Sequence, residues 1–237
     1  MTNVDQAKEA VRDRVWRLLE HEGAAPEGSY GKIPGFYGAE ATAQRLAELE
    51  LWKRTRTIKA NPDWAQLPVR AQALRDGKLL YMAVPKMASL QPFFLLDPAS
   101  LDAPPEQAAE KKGAAQAARR VGVEDMQPID IVICGSVAVN RSGARIGKGA
   151  GYSDLEVALL IEASLVTDET VIVAPVHQLQ VVEEEIPETE HDFSVDLIVT
   201  PDEVIECPNR RRPKRLVWND LTPEKIEAIP ALKARLA

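Results

Sequence analysis

The sequence has little cysteine, few aromatic residues and no long apolar run. Its two cysteines, Cys134 and Cys207, cannot form a disulfide framework and lack the spacing of metal ligands. Aromatic residues at 5% and a net charge of −7 argue against a nucleic-acid-binding protein. The lack of a run of about 18 apolar residues excludes a membrane span, and the polar N-terminus has no secretory signal. These absences predict a reduced, cytoplasmic protein without zinc, which binds neither membranes nor nucleic acid.

The remaining composition, 45% apolar and 27% charged over 237 residues, is typical of a globular protein. Continuous apolar strands at 78–84, 129–135 and 170–176 are typical of a parallel sheet that is covered on both faces. Amphipathic or apolar helices are predicted at about 4–22, 39–51, 64–76 and 152–165. Their alternation predicts an α/β protein: a Rossmann-like, three-layer α/β/α domain with a mostly parallel central sheet.

Two segments lie outside this regular pattern. Residues 98–128 are rich in alanine, proline and charge, and we interpret them as a surface insertion with one short helix. An interdomain linker is the alternative, but both flanking segments resemble pieces of one sheet, so residues 1–237 are predicted to form a single domain. Residues 222–237 are predicted to form an amphipathic helix with Pro223 near its start.

The most informative segment is a glycine-rich loop directly before a predicted helix. Gly147, Gly149 and Gly151 alternate, Lys148 lies between the first two, and Arg145 precedes them. Glycines let backbone N–H groups approach a ligand, and the helix N-terminus adds unpaired donors and a positive dipole end. The spacing matches neither a Walker A loop nor the dinucleotide pattern G-x-G-x-x-G. A flexible turn is the alternative, but the two cations favour a phosphate-binding loop.

Carboxylates near this loop could hold a metal ion. Mg²⁺ bound with a nucleotide usually takes one or two protein carboxylates plus phosphate oxygens, and Asp154 and Asp192 are the candidates. Asp154 could equally stabilise the dipole of the helix that it begins. Residues 183–185 are interpreted as a solvated acidic surface. The basic run 210–215 could contact a polyanion, although ion pairs within the chain fit the acidic net charge better.

Residues 128–154 resemble the signature region of the 5-formyltetrahydrofolate cyclo-ligase family, also called methenyltetrahydrofolate synthetase. Lys8-x-x-x-Arg12 resembles the ATP-contacting pair of that family. Glu190-His-Asp192, followed by Asp196, resembles its C-terminal acidic motif. The resemblance extends over most of the chain and is weakest across residues 98–128. It implies a single α/β/α domain, ATP and Mg²⁺ as cofactors, and a folate or another formamide or amide compound as substrate.

In the family reaction, ATP activates the formyl oxygen of 5-formyltetrahydrofolate, an internal nitrogen closes the ring, and ADP and phosphate leave. Phosphoryl transfer of this kind depends mainly on positioning and charge stabilisation, which gives Arg145 and Lys148 catalytic roles. By position, the resemblance assigns the nucleotide to Lys8, Arg12, Arg145, Ile146, Gly147, Lys148, Gly149, Ala150, Gly151 and Tyr152. It assigns Mg²⁺ to Asp154 and Asp192.

Two positions depart from the family pattern. The family loop ends in two tyrosines before the aspartate, whereas Ser153 takes the second position here. The substrate-side glutamate of the family falls, by counting back from Gly77, on Ala65. Residues 59–63, 211–213 and 217–218 resemble a divergent branch of the family, the methenyltetrahydrofolate-synthetase-domain-containing or cyclo-ligase-like proteins. These departures leave two hypotheses: a cyclo-ligase with an altered substrate, or a non-catalytic nucleotide- or folate-binding regulatory protein.

Overall fold

The computed structural model describes residues 2–218 and 221–235, in which two sheets are flanked by helices. The strands are β1 Thr57–Ala60, β2 Leu79–Ala83, β3 Phe93–Leu96, β4 Arg119–Val121, β5 Ile131–Ile133, β6 Ala138–Asn140, β7 Arg145–Ile146, β8 Val171–Pro175, β9 Val181–Val182, β10 Leu197–Val199 and β11 Val204–Glu206. The larger sheet has eight strands in the order β11-β10-β8-β5-β1-β2-β3-β4, and the smaller has the order β7-β6-β9. The central strands β10, β8, β5, β1 and β2 run parallel. At the two edges, β11 pairs antiparallel with β10, β3 pairs antiparallel with β2, and β4 pairs antiparallel with β3.

The helices cover both faces of the larger sheet. Their bounds are α1 Asn3–His21, α2 Ala39–Glu48, α3 Glu50–Arg54, α4 Leu67–Arg75, α5 Pro105–Ala108, α6 Lys111–Ala117, α7 Tyr152–Glu162, α8 Pro223–Ala228 and α9 Pro230–Lys233. Within β5, Ile131 and Ile133 pack with α2 and α4 on one face, while Val132 packs with α7 on the other. Because successive side chains of a strand point to opposite faces, the apolar run buries both faces, and the predicted three-layer α/β/α fold is confirmed.

The order of the strands places a crevice beside β1 and β5. From β1 the chain crosses to β2 on one side, and from β5 it crosses to β8 on the other side. Ligands of open α/β sheets bind at such a switch point, outside the carboxyl ends of the strands. Asn61 follows β1 and Gly135 lies just after β5, and the Asn61 side chain joins the two, since Gly135 N–H donates to Oδ1 at 3.1 Å.

Four helices differ from their predicted bounds. The helix predicted at 64–76 begins as a 3₁₀ turn, Trp64–Gln66, and continues as α4 from Leu67 to Arg75. The helix predicted at 39–51 is interrupted by Leu49, whose extended backbone separates α2 from α3. The helix predicted at 152–165 ends at Glu162. The tail divides into α8 and α9 because Ile229 is extended before Pro230, as steric contact with a following proline favours. Residues 236 and 237 of the predicted tail helix lie outside the described part of the chain.

Residues 98–128 are more than the surface excursion with one helix that the composition suggested. They contain two short helices, α5 and α6, and β4, which pairs antiparallel with β3 at the edge of the larger sheet. Ala108, Ala109 and Ala114 are fully buried. An alanine-rich segment can therefore pack closely against the sheet, which a reading of the segment as polar surface missed.

None of the described helices is long and apolar enough to cross a membrane.

Candidate functional site

A cavity of about 400 Å³ lies at the switch point and contains every candidate site residue. Lys8 and Arg12 reach it from α1, the loop 147–151 and α7 form one wall, and the segment after β1 forms another. The predicted nucleotide residues and both predicted magnesium ligands all line this one cavity: Lys8, Arg12, Arg145, Ile146, Gly147, Lys148, Gly149, Ala150, Gly151, Tyr152, Asp154 and Asp192. The structure thus brings together residues that are up to 184 positions apart, as in the Lys8–Asp192 contact.

The glycine loop has the close contacts and backbone angles that require glycine. Gly149 and Gly151 have φ of +90° and +69°, a region that side chains disfavour. A Cβ on Gly147 would lie 2.8 Å from a guanidinium nitrogen of Arg145. Arg12 Nε donates to the Gly147 carbonyl oxygen at 2.7 Å, which fixes the start of the loop. α7 begins immediately after Gly151, so the N–H groups of its first turn face the loop.

Arg145 is a buried cation at the base of the loop. Its side chain is 3% exposed, Nη1 donates to Asp154 Oδ1 at 3.0 Å, and the guanidinium lies 4.4 Å from the Phe193 ring centre. Burial, the largest single effect, works against the charged form, but Asp154, Cys134 and Asp192 together outweigh it and raise the pKa of Arg145 above its ordinary value. Its Nε is buried without a hydrogen-bond partner among the described residues. A permanent positive charge therefore stands at the cavity wall.

Lys8 and Asp192 form a second ion pair at the cavity. Lys8 Nζ lies 2.5 Å from Asp192 Oδ2, which also accepts from the backbone N–H and the hydroxyl of Thr189 at 2.5 and 2.7 Å. Burial alone would raise the pKa of Asp192, but the Lys8 and Thr189 donors outweigh it and lower the pKa below its ordinary value. In both ion pairs, Lys8–Asp192 and Arg145–Asp154, a cation that is predicted to bind phosphate therefore contacts a carboxylate that is predicted to bind the metal.

The lowered pKa of Asp192 predicts a pH dependence of stability. The folded carboxyl binds its proton less readily than the unfolded one, so ionised Asp192 stabilises the fold above about pH 4, the ordinary value of an aspartate. This contribution is lost as the pH falls through the folded pKa. We expect the free energy of unfolding, measured by urea titration between about pH 5 and pH 2.5, to fall more steeply for the parent than for Asp192→Asn. Equal slopes would contradict the assignment.

The segment after β1 forms the cavity wall opposite the loop. The buried guanidinium of Arg70 holds it from behind, since Nη1 donates to the carbonyl oxygens of Asn61 and Asp63 at 2.7 and 2.8 Å. Nε of Arg70 donates to the carbonyl oxygen of Ala109 at 2.9 Å, which ties this wall to the segment 98–128. Asp63 lines the cavity, and its carboxylate lies 3.9 Å from Lys148 Nζ on the other side.

Two of the residues that contact the site were missed by the sequence analysis. Asp63 lines the cavity, whereas Ala65, where the count from Gly77 placed the substrate-side position, is 2% exposed and packs in an apolar cluster. Asp63 follows the parallel strand β1, and ligands of α/β sheets bind beyond the carboxyl ends of such strands, so this position was a signal that could have identified Asp63. Lys225 of α8 donates to the Ala150 carbonyl oxygen at 2.5 Å, and its ammonium lies 3.6 Å from the Tyr152 ring centre. No pattern in the tail pointed to that contact.

A second cavity, of about 340 Å³, adjoins the loop on the side of the C-terminal segment. It shares Gly149–Gly151, Asp154 and His191 with the first cavity and is otherwise lined mainly by apolar residues of α7 and of the segments 215–217 and 221–225. The basic run 210–215 is partly paired within the chain, as Arg210 and Arg212 both contact the Asp196 carboxylate, at 3.0 and 2.5 Å.

The residues at the cavity fit a magnesium ion only in part. Among residues 2–218 and 221–235, no group of three or more histidine, cysteine or acidic side chains could hold a metal ion. The two predicted ligands, Asp154 and Asp192, offer one carboxylate each, and their side chains are 16% and 10% exposed. Since Mg²⁺ usually takes one or two carboxylates together with phosphate oxygens, this donor set fits an ion that arrives with a nucleotide.

Comparisons with known proteins place this site in a family. The model of the 5-formyltetrahydrofolate cyclo-ligase family matches residues 4–201. The chain is 33% identical over 237 residues to a methenyltetrahydrofolate synthase domain-containing protein of Homo sapiens. That alignment covers 98% of the chain and 62% of the human protein. The protein of the same name from Mus musculus is 34% identical over 234 residues, with 96% and 62% covered. The chain thus spans about three-fifths of the length of these relatives.

A solved structure supports the fold independently. The NMR structure of 5,10-methenyltetrahydrofolate synthetase from Aquifex aeolicus superposes with a TM-score of 0.55 at 20% identity, over 89% of this chain and 95% of that chain. The family match includes the glycine loop, both predicted aspartates and the α1 cations. On these grounds the chain belongs to the 5-formyltetrahydrofolate cyclo-ligase family.

Proposed function

We propose that the protein is an ATP-dependent cyclo-ligase that closes a ring in 5-formyltetrahydrofolate or in a related formamide or amide compound. The observation that carries the proposal is the cavity at the switch point, in which a glycine loop, six lysine and arginine side chains and several carboxylates face one space. Family membership supplies the reaction class. The departures at Ala65 and Ser153 are the reason to keep a related substrate open.

In the proposed complex, the loop 147–151 and the first turn of α7 bind the terminal phosphates, with Lys148 and Arg145 as the catalytic cations. Lys8 and Arg12 contact the nucleotide from α1. Asp154 and Asp192 would hold Mg²⁺, which would supply neutralisation of the phosphate charge. The ion pairs Arg145–Asp154 and Lys8–Asp192 suit this exchange, because a magnesium nucleotide brings anions for the two cations and a cation for the two carboxylates.

The proposed chemistry conserves every atom. The terminal phosphoryl group of ATP moves to the formyl oxygen, an internal N–H nitrogen attacks the activated carbon and loses its proton, and the formyl oxygen leaves with phosphate. Lys148 and Arg145 stabilise the charge on the transferred phosphoryl group, which is the main protein contribution to such transfers.

The direct test is to incubate the full chain with Mg-ATP and 5-formyltetrahydrofolate and to follow ADP and the cyclised product together. We expect the two products in equal amounts, with neither formed when ATP or magnesium is omitted. ATP binding without ADP formation would exclude 5-formyltetrahydrofolate as the substrate and would leave a related formamide or amide substrate or the alternative, a non-catalytic nucleotide- or folate-binding regulatory protein.

A further inference from the structure

A buried ion pair between β1 and α7 borders the cavity and has no role in the reaction described above. Lys59 lies in β1, whose residues are all buried, and its side chain is fully buried; the Glu156 side chain of α7 is 5% exposed. The Lys59 ammonium contacts Glu156 Oε2 directly. Asn61 Nδ2 donates to the same oxygen at 2.9 Å, and Glu156 lines the cavity.

Packing between the sheet and α7 does not require these charges. Replacing a buried ion pair by apolar side chains of similar volume is often neutral or stabilising, because both ions lose their hydration. What the pair does provide is a carboxylate that lines the cavity and is held in place by Lys59. Both donors bind Oε2, so Glu156 Oε1 is held by neither of them.

The charge of Glu156 does not suit the phosphates or the metal. A carboxylate repels phosphate oxygens. Lys59, unlike Lys8 and Arg145, does not line the cavity, so it stays on Glu156 instead of turning to a phosphate, and its charge disfavours a divalent cation there. An ionised carboxylate instead accepts short, charge-assisted hydrogen bonds from N–H donors. Glu156 is also well placed for a ligand, since its Asn61 partner follows β1, at the carboxyl end of the strand, where the switch-point crevice lies.

We propose that Glu156 binds an N–H donor of the small-molecule substrate, such as the amino group or ring N–H of a heterocycle, and that Lys59 and Asn61 position its carboxylate. This inference rests on the proposed function and deepens it by naming a group that selects the substrate. Glu156 is a substrate-binding residue in this account, whereas Lys59 and Asn61 act through it.

The test uses the double variant Lys59→Met/Glu156→Gln, which removes both charges together and leaves neither buried alone. We expect calorimetry to show at least about tenfold weaker binding of 5-formyltetrahydrofolate, as expected from the loss of a charge-assisted hydrogen bond. In turnover assays, we expect the KM for this compound to rise while the KM for ATP stays within about twofold. The matched control is Lys53→Met/Glu50→Gln, an exposed ion pair on α3 outside the cavity, which should leave both constants unchanged.

The outcomes separate this inference from the proposed function. A double variant that binds 5-formyltetrahydrofolate as tightly as the parent overturns the role of Glu156 and leaves the proposed function standing. A parent that binds ATP but neither 5-formyltetrahydrofolate nor any related formamide or amide compound overturns both. If the double variant does not fold, Glu156→Asp keeps the charge but withdraws the carboxylate by one methylene. The same selective loss of 5-formyltetrahydrofolate binding is then expected, and unchanged binding overturns the inference.

Discussion

Replacing Lys148 by alanine is expected to lower the turnover of 5-formyltetrahydrofolate and Mg-ATP by about 100- to 1,000-fold, the range seen when one preorganised donor to a developing charge is removed. The Lys148 side chain is 43% exposed, and its nearest carboxylate is 3.9 Å away, so it contributes little to stability. The loss should therefore appear in kcat, as measured by ADP release at saturating substrates, with an unchanged free energy of unfolding.

The matched control for this prediction is Lys53→Ala. Lys53 lies on α3 outside the cavity, with its side chain 58% exposed in a surface ion pair, and its removal should change kcat by less than about twofold, as for surface substitutions generally. A Lys148→Ala protein with parental turnover would remove Lys148 from the catalytic residues and would leave Arg145 as the only catalytic cation proposed.

Replacing Asp154 by asparagine is expected to act on both stability and magnesium. Arg145, with a side chain 3% exposed, would lose the carboxylate to which its Nη1 donates at 3.0 Å. Removing one partner of a buried pair costs about 3–5 kcal/mol, and the partial exposure of Asp154 favours the lower end of that range. Urea titration should show this loss, and calorimetry with and without Mg²⁺ should show that ATP binding has become largely independent of magnesium.

An exposed ion pair gives the reference for that measurement. Arg141 and Glu203 lie 2.7 Å apart at the surface, with side chains about half exposed, so Glu203→Gln should change the free energy of unfolding by less than about 1 kcal/mol. A stable Asp154→Asn protein that still binds ATP more tightly with magnesium than without it would contradict both proposed roles of Asp154.

The sequence predicted the α/β/α layers and the candidate residues of the loop because both depend on local patterns. The unbroken apolar run of β5 indicates a strand covered on two faces, and that is how Ile131 and Val132 pack. Alternating glycines before α7 indicate a backbone that needs positive φ, as Gly149 and Gly151 have. The spacing of Lys8 and Arg12 predicted that they share one side of α1, and both reach the cavity.

The remaining features depend on contacts between distant segments, which periodicity does not encode. Lys59 resembles a surface residue of a half-exposed strand until α7 places Glu156 against it. Residues 98–128 have a polar composition, yet Ala109 accepts a hydrogen bond from Arg70 through its backbone, which no side-chain pattern reveals. Lys225 of α8 donates to the carbonyl oxygen of Ala150, which is 75 positions away in the sequence.

The central claim is that the loop 147–151 and the first turn of α7 bind the terminal phosphates of a nucleotide. The most direct measurement is a crystal structure of the full chain with Mg²⁺ and a non-hydrolysable ATP analogue. The account predicts phosphate oxygens within hydrogen-bond distance of backbone N–H groups of the loop and of Lys148 Nζ, with Mg²⁺ between those oxygens and Asp154. Phosphates bound elsewhere, while the loop keeps only the protein contacts described above, would contradict it.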